Sequence, residues 1–363
     1  MLPGDGVGPE VTEQAVRVLR EVASLYGHKF LFEEHLVGGA AINRYDNPLP
    51  NATITACRSA DAVLLGAIGS PEFDHLPFDK RPEAGLLALR KTLGGFANLR
   101  PINSHAALVS ASPLRPEIAD GVDILIVREL LGGLYFGEPR GVSSQNGSSV
   151  AFNTMRYSVG EIERVAKIAF EAAMKRRRRV TSVDKANVLE TSQLWRQTVS
   201  RVAKDYPEIS LDHLYVDAAA MHIITNPRRF DVLLTENLFG DILSDEAAVI
   251  VGSLGMLASA TVGGAVDLYE PVHGSAPDIA HQGIANPLGA IASVAMLLRY
   301  TARLDNAAKD IELAIAEVLN AGYRTADIAG GASRRVVGTS EMGKLVTDAI
   351  AEVADMRHAY HAV

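Results

Sequence analysis

Two aspartates, Asp241 and Asp245, lie in the segment FDVLLTENLFGDILSDEAA at residues 230–248. The segment begins like a buried strand and continues like an apolar helix, so the four-residue spacing places both carboxylates on one helical face. Like charges at that spacing repel each other, and a hard divalent cation such as Mg²⁺ or Mn²⁺ offsets the repulsion. Alternatively, both carboxylates stabilise the helix N-terminus through its dipole.

A third aspartate, Asp217, ends the predicted strand LDHLYVD at residues 211–217. The carboxyl ends of parallel strands are where the ligand sites of α/β proteins gather. An acidic residue at such an end favours the interpretation of the aspartate pair as part of a metal site.

Several basic residues lie where they could bind an anionic substrate. Arg128 follows the apolar run ILIV, Arg100 follows FANL, and Arg90 lies on the predicted helix AGLLALRK. Each alone is typical of a surface arginine, but beside an acidic metal site they indicate a substrate with carboxylates, which guanidinium groups bind bidentately. Tyr135 and Lys185 follow predicted strands, and a lysine desolvated beside a metal can act as a general base.

The elements that position these side chains alternate between strands and helices. Apolar runs typical of buried strands cover residues 61–69, 122–130, 179–184, 211–217 and 230–237. Ser158 and Glu161 form a capping-box pair ahead of an amphipathic helix. This alternation predicts an α/β fold with a largely parallel sheet.

Composition narrows the function classes. The 363 residues carry a net charge of −8, which argues against nucleic-acid binding. The single cysteine, Cys57, excludes an internal disulfide framework and indicates a reducing compartment. Because we find no apolar run long enough to span a membrane and no signal-peptide pattern, we expect a cytoplasmic protein without membrane association.

The N-terminal loop PGDGVGPE is similar to a dinucleotide fingerprint but departs from it. Its glycines follow the pattern G-x-G-x-G, and only Met1 and Leu2 precede the loop, too few for the strand that a Rossmann unit requires. We therefore predict a tight loop that leads into a helix at Pro9, rather than a Rossmann site.

Long motifs along the whole chain resemble those of the β-decarboxylating dehydrogenases, the family of 3-isopropylmalate, isocitrate, homoisocitrate and tartrate dehydrogenases. The motifs are PGDGVGPE, RPEAGLLALRK, FANLRP, VRELLGGLYFGEPRG, SVDKANVLE, YVDAAAM, NLFGDILSDEA and EPVHGSAPDIAHQGIANP. Their length and common order make the resemblance specific. It implies an α/β fold of the isopropylmalate-dehydrogenase type, with a large twisted mixed sheet flanked by helices and two domains, distinct from the Rossmann fold.

The resemblance also implies roles for the matching residues. The divalent metal, Mg²⁺ or Mn²⁺, would be held by Asp241, Asp245 and the partner subunit's Asp217, which also contacts the substrate. The substrate carboxylates would be bound by Arg90, Arg100 and Arg128. Tyr135 would be the general acid, and Lys185 of the partner subunit would be the general base.

The helix RPEAGLLALRK bears on the choice of substrate. Glu83, Leu86 and Leu87 share a face with Arg90, and the leucines would contact an alkyl group where isocitrate dehydrogenases typically place small polar residues. The expected reaction is the NAD-dependent oxidative decarboxylation of 3-isopropylmalate to 4-methyl-2-oxopentanoate in leucine biosynthesis. Alternatively, the leucines are core residues, the substrate is another alkylmalate, tartrate or homoisocitrate, or the chain is a non-catalytic regulatory homologue.

The motif EPVHGSAPDIAHQGIANP resembles the loop with which the family binds the adenosine of its cofactor. Asp278 would accept hydrogen bonds from the ribose and repel a 2′-phosphate, which favours NAD over NADP. His273 could instead be a structural loop residue. The implied cofactor contacts are Asn187, His273, Gly274, Ser275, Ala276, Asp278, Ile279 and Asn286.

The resemblance further implies a homodimer with shared active sites. A discontinuous cofactor-binding domain would cover residues 1–95 and 248–363, and a domain for dimerisation, substrate and metal would cover 96–247. The polar segment 137–153 would be an intersubunit arm, and its Asn-Gly pair signals a hairpin, although a linker is the alternative. Family members usually carry several more apolar residues before the glycine loop, which form a first strand. Either the sequence is truncated here, its start is unusual, or this strand is shortened.

Overall fold

The computed structural model describes residues 1–330 and 335–361, with side chains to Met356. Its strands are β1 (Leu2–Gly4), β2 (Ala62–Ala67), β3 (Ala97–Asn103), β4 (Asp123–Glu129), β5 (Gly141–Gln145), β6 (Ser148–Phe152), β7 (Arg179–Asp184), β8 (Ser210–Tyr215), β9 (Val232–Thr235), β10 (Ala258–Val262), β11 (Asp267–Pro271), β12 (Tyr323–Arg324) and β13 (Arg335–Val336). Its helices are α1 (Gly8–Tyr26), α2 (Gly38–Tyr45), α3 (Asn51–Ser59), α4 (Pro82–Leu93), α5 (Pro116–Ala119), α6 (Val159–Met174), α7 (Glu190–Val202), α8 (Val216–Thr225), α9 (Asn237–Val251), α10 (Leu288–Tyr300), α11 (Asp305–Asn320) and α12 (Thr339–His361).

The chain divides into two compact units. The first contains Met1–Gly95, Ser104–Pro116 and the chain from Val251 onward, and the second contains Phe96–Asn103 and Glu117–Ile250. The sequence-based range 96–247 for the second domain includes Ser104–Pro116, which instead belongs to the first unit. One reason is that the buried Arg324 donates a hydrogen bond from Nη2 to the Ala107 carbonyl at 2.6 Å.

In the first unit, four strands pair in the order β1-β2-β11-β10. The pairs β1–β2 and β2–β11 are parallel, and β10–β11 is antiparallel. Helices α1 and α10 pack on these strands. An apolar cluster that includes Leu2, Val63, Leu65, Leu89 and Leu268 forms part of the core, and it fixes α4 against the strands.

In the second unit, five strands pair in the order β3-β4-β9-β7-β8. Only β3–β4 is antiparallel among the pairs described here, and β4–β9, β9–β7 and β7–β8 are parallel. Helices α6 and α7 bury Phe170 and Trp195 against this part of the sheet. The predicted α/β class with a mixed sheet is confirmed.

Several local predictions are also confirmed. Ser158 and Glu161 form the capping box of α6. Strands β5 and β6 form a hairpin whose turn residues, Asn146 and Gly147, have φ values of 50° and 79°, as an Asn-Gly turn requires. Strand β1 is three residues long. None of the helices in the described part of the chain has the length and apolar character that a membrane crossing requires.

Candidate functional site

The second unit places Asp241 and Asp245 on α9, as predicted. The helix begins directly after strand β9, and the buried Glu236 carboxylate accepts hydrogen bonds from the amides of Leu238 and Phe239 at 3.1 and 2.7 Å. These bonds satisfy amides that have no partner within the helix. Asp241 and Asp245 lie beyond this first turn, with side chains 33% and 56% exposed. The dipole of the helix N-terminus is therefore not what stabilises the pair.

Two buried arginines face these aspartates. Arg128 donates from Nη1 to Asp241 Oδ1 in a short hydrogen bond, and it is 2% exposed. Arg100 has its Nη2 3.6 Å from Asp241 Oδ1 and its Nη1 3.5 Å from Asp245 Oδ1. The structure thus brings together two predicted metal ligands and two predicted substrate-binding arginines. Each arginine offsets the charge of a carboxylate that is taken partly out of water.

Tyr135 belongs to the same cluster. Its hydroxyl donates to Asp241 Oδ2 at 2.9 Å, and the Arg128 guanidinium lies 5.8 Å from its ring centroid. Burial, followed by the Asp241 carboxylate, raises the pKa of Tyr135 to about 12. Burial also raises the pKa of Asp245, against the lowering effect of Arg100. Tyr135 therefore carries its proton at neutral pH.

Lys185 and Asp217 form a separate pair in the same unit. Lys185 follows β7, and its Nζ donates to Asp217 Oδ1 in a short hydrogen bond that lowers the pKa of Asp217. The prediction that Asp217 ends a strand is wrong. Strand β8 stops at Tyr215, and Asp217 lies in the first turn of α8, because an alanine-rich run of helix formers begins there.

Within the described residues, no three acidic, histidine or cysteine side chains converge in a way that could hold a metal ion. Asp217 is therefore not gathered with the aspartates of α9 in one chain. Its side chain is 63% exposed, as is expected of a group available to another molecule. Asn187 is also exposed, in the turn between β7 and α7.

Sequence reasoning missed the residues that hold the two arginines. The buried Asn98 accepts from Arg100 Nε at 2.7 Å, and Ser244 accepts from Arg100 Nη1 at 2.5 Å. Asn237 accepts from Arg128 Nη2 at 2.7 Å. All three lie within one or a few residues of predicted site residues, and polar side chains in otherwise apolar strands and helices are the signal that could have identified them.

In the first unit, α4 carries the predicted substrate-selecting residues. Arg90 Nη2 donates to Glu270 Oε1 at 2.7 Å, so its charge is already paired within this unit. Glu83 is exposed and Leu87 is half-buried. Leu86 packs against the apolar core cluster, so the core alternative applies to Leu86 at least in part.

The glycine loop of the first unit is organised by Asp5, which the sequence did not single out. This buried carboxylate accepts hydrogen bonds from three backbone amides, those of Gly39 and Gly69 at 2.9 Å and of Ala40 at 2.8 Å. Gly38 and Gly39 approach Asp5 so closely that a Cβ on either would lie 2.5 or 3.1 Å from its oxygens. The loop is a backbone scaffold, in agreement with the prediction that it is not a Rossmann fingerprint.

The predicted cofactor loop packs on this scaffold. The Val7 amide donates to the Ser275 carbonyl at 2.8 Å. The Glu10 carboxylate accepts from the amides of His281 and Gly283 at 2.5 and 3.1 Å. Asn286, at the far end of the loop, accepts from the Leu288 amide at 3.0 Å and so holds the start of α10. The start of the chain thus fixes the backbone of the loop.

The side chains of this loop divide into buried and exposed groups. Ser275 is buried, Asp278 and Gly274 are exposed, and Ala276, with φ of 42°, leads into a short 3₁₀ turn that includes Ile279. His273 Nδ1 lies 2.8 Å from the Gly274 carbonyl, while its buried Nε2 has no partner among the described residues. Burial lowers the pKa of His273, so the ring is neutral with the proton on Nδ1 and with Nε2 as an acceptor.

Comparisons with known proteins decide the family. The model of the isocitrate/isopropylmalate dehydrogenase family matches residues 1–346. The chain belongs to the isocitrate/isopropylmalate dehydrogenase family. This confirms the family predicted from the sequence motifs, and it makes the chain an oxidoreductase of a family that uses a nicotinamide cofactor and a divalent metal.

Similar proteins cover nearly the whole chain. The 3-isopropylmalate dehydrogenase of Aquifex aeolicus is 53% identical over 97% of this chain and 95% of its own length. The enzyme of the same name from Clostridium pasteurianum is 55% identical over 96% of this chain and 98% of its own length. Among solved structures, isocitrate dehydrogenase from Methylococcus capsulatus matches with a TM-score of 0.86 at 34% identity, over 96% of this chain and 98% of that one.

Proposed function

We propose that the chain is an NAD-dependent 3-isopropylmalate dehydrogenase of leucine biosynthesis, acting in the cytoplasm as a homodimer with Mg²⁺ or Mn²⁺. The observation that carries this proposal is the cluster in the second unit, where two buried arginines face Asp241 and Asp245 beside Tyr135. The name shared by relatives that cover the chain almost completely supports the choice of substrate.

The side chains of this cluster fit a metal and a substrate with carboxylates. Carboxylate oxygens are the ligands that a hard divalent cation prefers. Asp241 and Asp245 are one helical turn apart, and Arg100 and Arg128 already balance their charge. A cation on the aspartates would take over that balance, and the arginines could then bind the substrate carboxylates. The third aspartate of the set would be Asp217 of the partner subunit.

The loop of the first unit fits a dinucleotide. The buried His273 Nε2 is an acceptor without a partner among the described residues, which is costly unless a ligand donates to it. Asp278 is exposed on the same loop, where its carboxylate could accept from ribose hydroxyls and would repel a 2′-phosphate. Ser275, Asn286 and the loop backbone would form the rest of the adenosine site, and Asn187 would approach the nicotinamide.

The proposed reaction assigns proton transfer to two groups, Lys185 and Tyr135. Asp241, Asp245 and Asp217 of the partner subunit would hold a divalent metal, which would supply Lewis-acid polarisation of the substrate oxygens, and a bound NAD⁺ would supply the hydride acceptor for C2. Lys185 of the partner subunit accepts the proton of the C2 hydroxyl at Nζ. After the β-carboxylate leaves as CO₂, Tyr135 donates its Oη proton to C3 and gives 4-methyl-2-oxopentanoate. The raised pKa of Tyr135 keeps that proton in place until it is needed.

Exposed apolar residues of the second unit support the homodimer. Val142 on the β5–β6 hairpin is 73% exposed, Met221 on α8 is 68% exposed and Ile242 on α9 is 58% exposed. Large apolar side chains left in water are what an interface with a second copy would cover. Ile242 directly follows Asp241, so a copy seated on this surface would lie next to the metal-binding residues.

The test of the proposal is the formation of NADH by the purified dimer with Mg²⁺ or Mn²⁺. We expect a strong preference for 3-isopropylmalate over isocitrate, malate and tartrate, loss of activity with a chelator, and a preference for NAD⁺ over NADP⁺. Leu87→Ser should lower kcat/KM for 3-isopropylmalate relative to malate by about tenfold, because a polar surface no longer binds the isopropyl group. The matched control is Leu313→Ser, at an exposed leucine of α11.

Two results would contradict the proposal. A preference for tartrate, isocitrate or another acid would retain the metal and arginine assignments and reject the assigned substrate. A correctly folded dimer without activity on any of these acids would favour a non-catalytic protein on the same scaffold.

A further inference from the structure

Asn237 occupies a fully buried position at the start of α9, immediately after the capping residue Glu236. Its side-chain Nδ2 donates to the carbonyls of Leu130 and Gly132 at 3.1 and 3.0 Å. Carbonyl oxygens only accept hydrogen bonds, so the NH₂ group of the amide must face them. The orientation of the amide is thereby fixed, and its Oδ1 must point the other way.

That fixed oxygen faces Arg128. Asn237 Oδ1 accepts from Arg128 Nη2 at 2.7 Å and from Nε at 3.1 Å, and the Asn237 main-chain oxygen accepts from Nε at 2.9 Å. Asp241 engages Nη1, on the other side of the guanidinium. Because the guanidinium is planar, contacts on these two sides determine the plane in which it can meet a carboxylate.

The same residue links three elements of the site. Leu130 and Gly132 belong to the segment between Arg128, near the end of β4, and the turn that contains Tyr135. The main-chain N–H of Asn237 donates to the buried Tyr157 hydroxyl at 3.0 Å, and this hydrogen bond anchors the start of the proposed metal-binding helix. A displacement of Asn237 would therefore shift Arg128 relative to Asp241.

We infer that Asn237 is a positioning residue, which sets the plane of the Arg128 guanidinium for the substrate carboxylate. This inference rests on the proposed function, in which Arg128 binds the substrate. Only a primary amide offers two donors and an acceptor at this spacing. An aspartate would place acceptors against the two carbonyls, and a leucine of similar size would leave both the carbonyls and the arginine edge without the hydrogen bonds.

The experiment compares Asn237→Leu, Arg128→Gln and the double variant with the full-length dimer. For Asn237→Leu we expect the KM for 3-isopropylmalate to rise by about tenfold, since hydrogen bonds to a charged group are lost. The KM for NAD⁺ should stay within about twofold of the wild-type value, because the cofactor loop is independent of Asn237. A purely structural role would lower the active fraction and leave the KM for 3-isopropylmalate unchanged.

The double variant tests whether Asn237 acts through Arg128. If it does, adding Asn237→Leu to Arg128→Gln should change the KM for 3-isopropylmalate by no more than about twofold. Full additivity of the two effects would overturn the inference. An Arg128→Gln variant with an unchanged KM would instead refute the proposed role of Arg128, and the inference would fall with it.

Two further variants keep the test decisive. Asn237→Ser makes the side chain smaller, so the core does not have to accommodate the methyl groups of a leucine. If Asn237→Leu does not fold, Asn237→Ser should show the same selective rise in KM. Thr235→Val is the matched control, because Thr235 is also fully buried at the end of β9 and its hydroxyl has no partner among the described residues. An equal rise in KM for Thr235→Val would also overturn the inference.

Discussion

The cluster of charged residues in the second unit and the loop scaffold of the first unit are built from different interactions. In the second unit, charged side chains contact each other: Arg100 and Arg128 pair with the aspartates of α9. In the first unit, carboxylates contact backbone: Asp5 and Glu10 accept hydrogen bonds from the amides of glycine-rich segments. A ligand could replace the partners of the side chains in the second unit, whereas the carboxylates of the first unit are hydrogen-bonded to the backbone of the fold itself.

This difference predicts whether a mutation in each unit lowers mainly the activity or mainly the stability of the protein. Side chains that exchange partners on binding contribute directly to activity, because a substrate or a cation would take over the contacts that the half-exposed Asp241 and Asp245 make with the two arginines. A buried carboxylate with three amide donors contributes mainly to stability, because its removal leaves those donors without partners. We therefore expect losses of activity in the second unit and losses of stability in the first.

The largest expected effect concerns the two residues of the second unit to which we assign proton transfer. Lys185→Met and Tyr135→Phe should each lower kcat by about 10²–10⁴-fold, the range for loss of a general acid or base. If Lys185 acts on the site of the partner subunit, a heterodimer of the two variants contains one site with both wild-type residues. Co-expression and purification with two different tags should therefore restore about half of the wild-type activity, as measured by NADH formation.

The controls for this complementation are the homodimers of each variant, prepared in the same way, which should remain inactive. A heterodimer without recovered activity would show that Lys185 and Tyr135 serve a site within one chain, and the shared-site proposal would be wrong.

The second effect tests the scaffold of the first unit. Asp5→Asn keeps the shape of the side chain but replaces an acceptor with a donor that faces backbone amides, so we expect the free energy of unfolding to fall by about 3 kcal/mol. Chemical denaturation measures this loss, and the control is Asp79→Asn at an exposed position. An equal change in both variants would mean that the three amide contacts of Asp5 contribute little.

The charged side chains of the second unit were easier to predict from the sequence than the backbone contacts of the first unit, for a physical reason. Asp241 and Asp245 stand out because carboxylates in an apolar helix need a partner, and Arg128 stands out because it follows the apolar run ILIV near the end of β4. Asp5 does not stand out, because an acidic residue in a glycine loop is ordinary and only the fold brings Gly69 to it. Secondary structure near Asp217 was misplaced by two residues, where strand formers give way to alanines.

The smallest expected effect concerns His273, whose pKa is lowered by burial. Below the pKa of about 6.5 that histidine has in an unfolded chain, the unfolded state binds a proton that the folded state resists. The contribution of His273 to stability is therefore present above that pH and is lost as the pH falls. Between pH 7.5 and 5.5, the free energy of unfolding should decrease less in His273→Gln than in the unmodified chain, by about 1 kcal/mol at most.

Denaturant unfolding at a series of pH values measures this difference, and His28→Gln, at an exposed histidine of the same unit, is the matched control. The same slope in all three proteins would mean that His273 accepts a proton in the folded state as easily as in the unfolded one. Its Nε2 could then not be kept as the acceptor that we assign to the dinucleotide site. A flatter dependence of the unfolding free energy on pH, confined to His273→Gln, would show that burial in this loop keeps the His273 ring neutral.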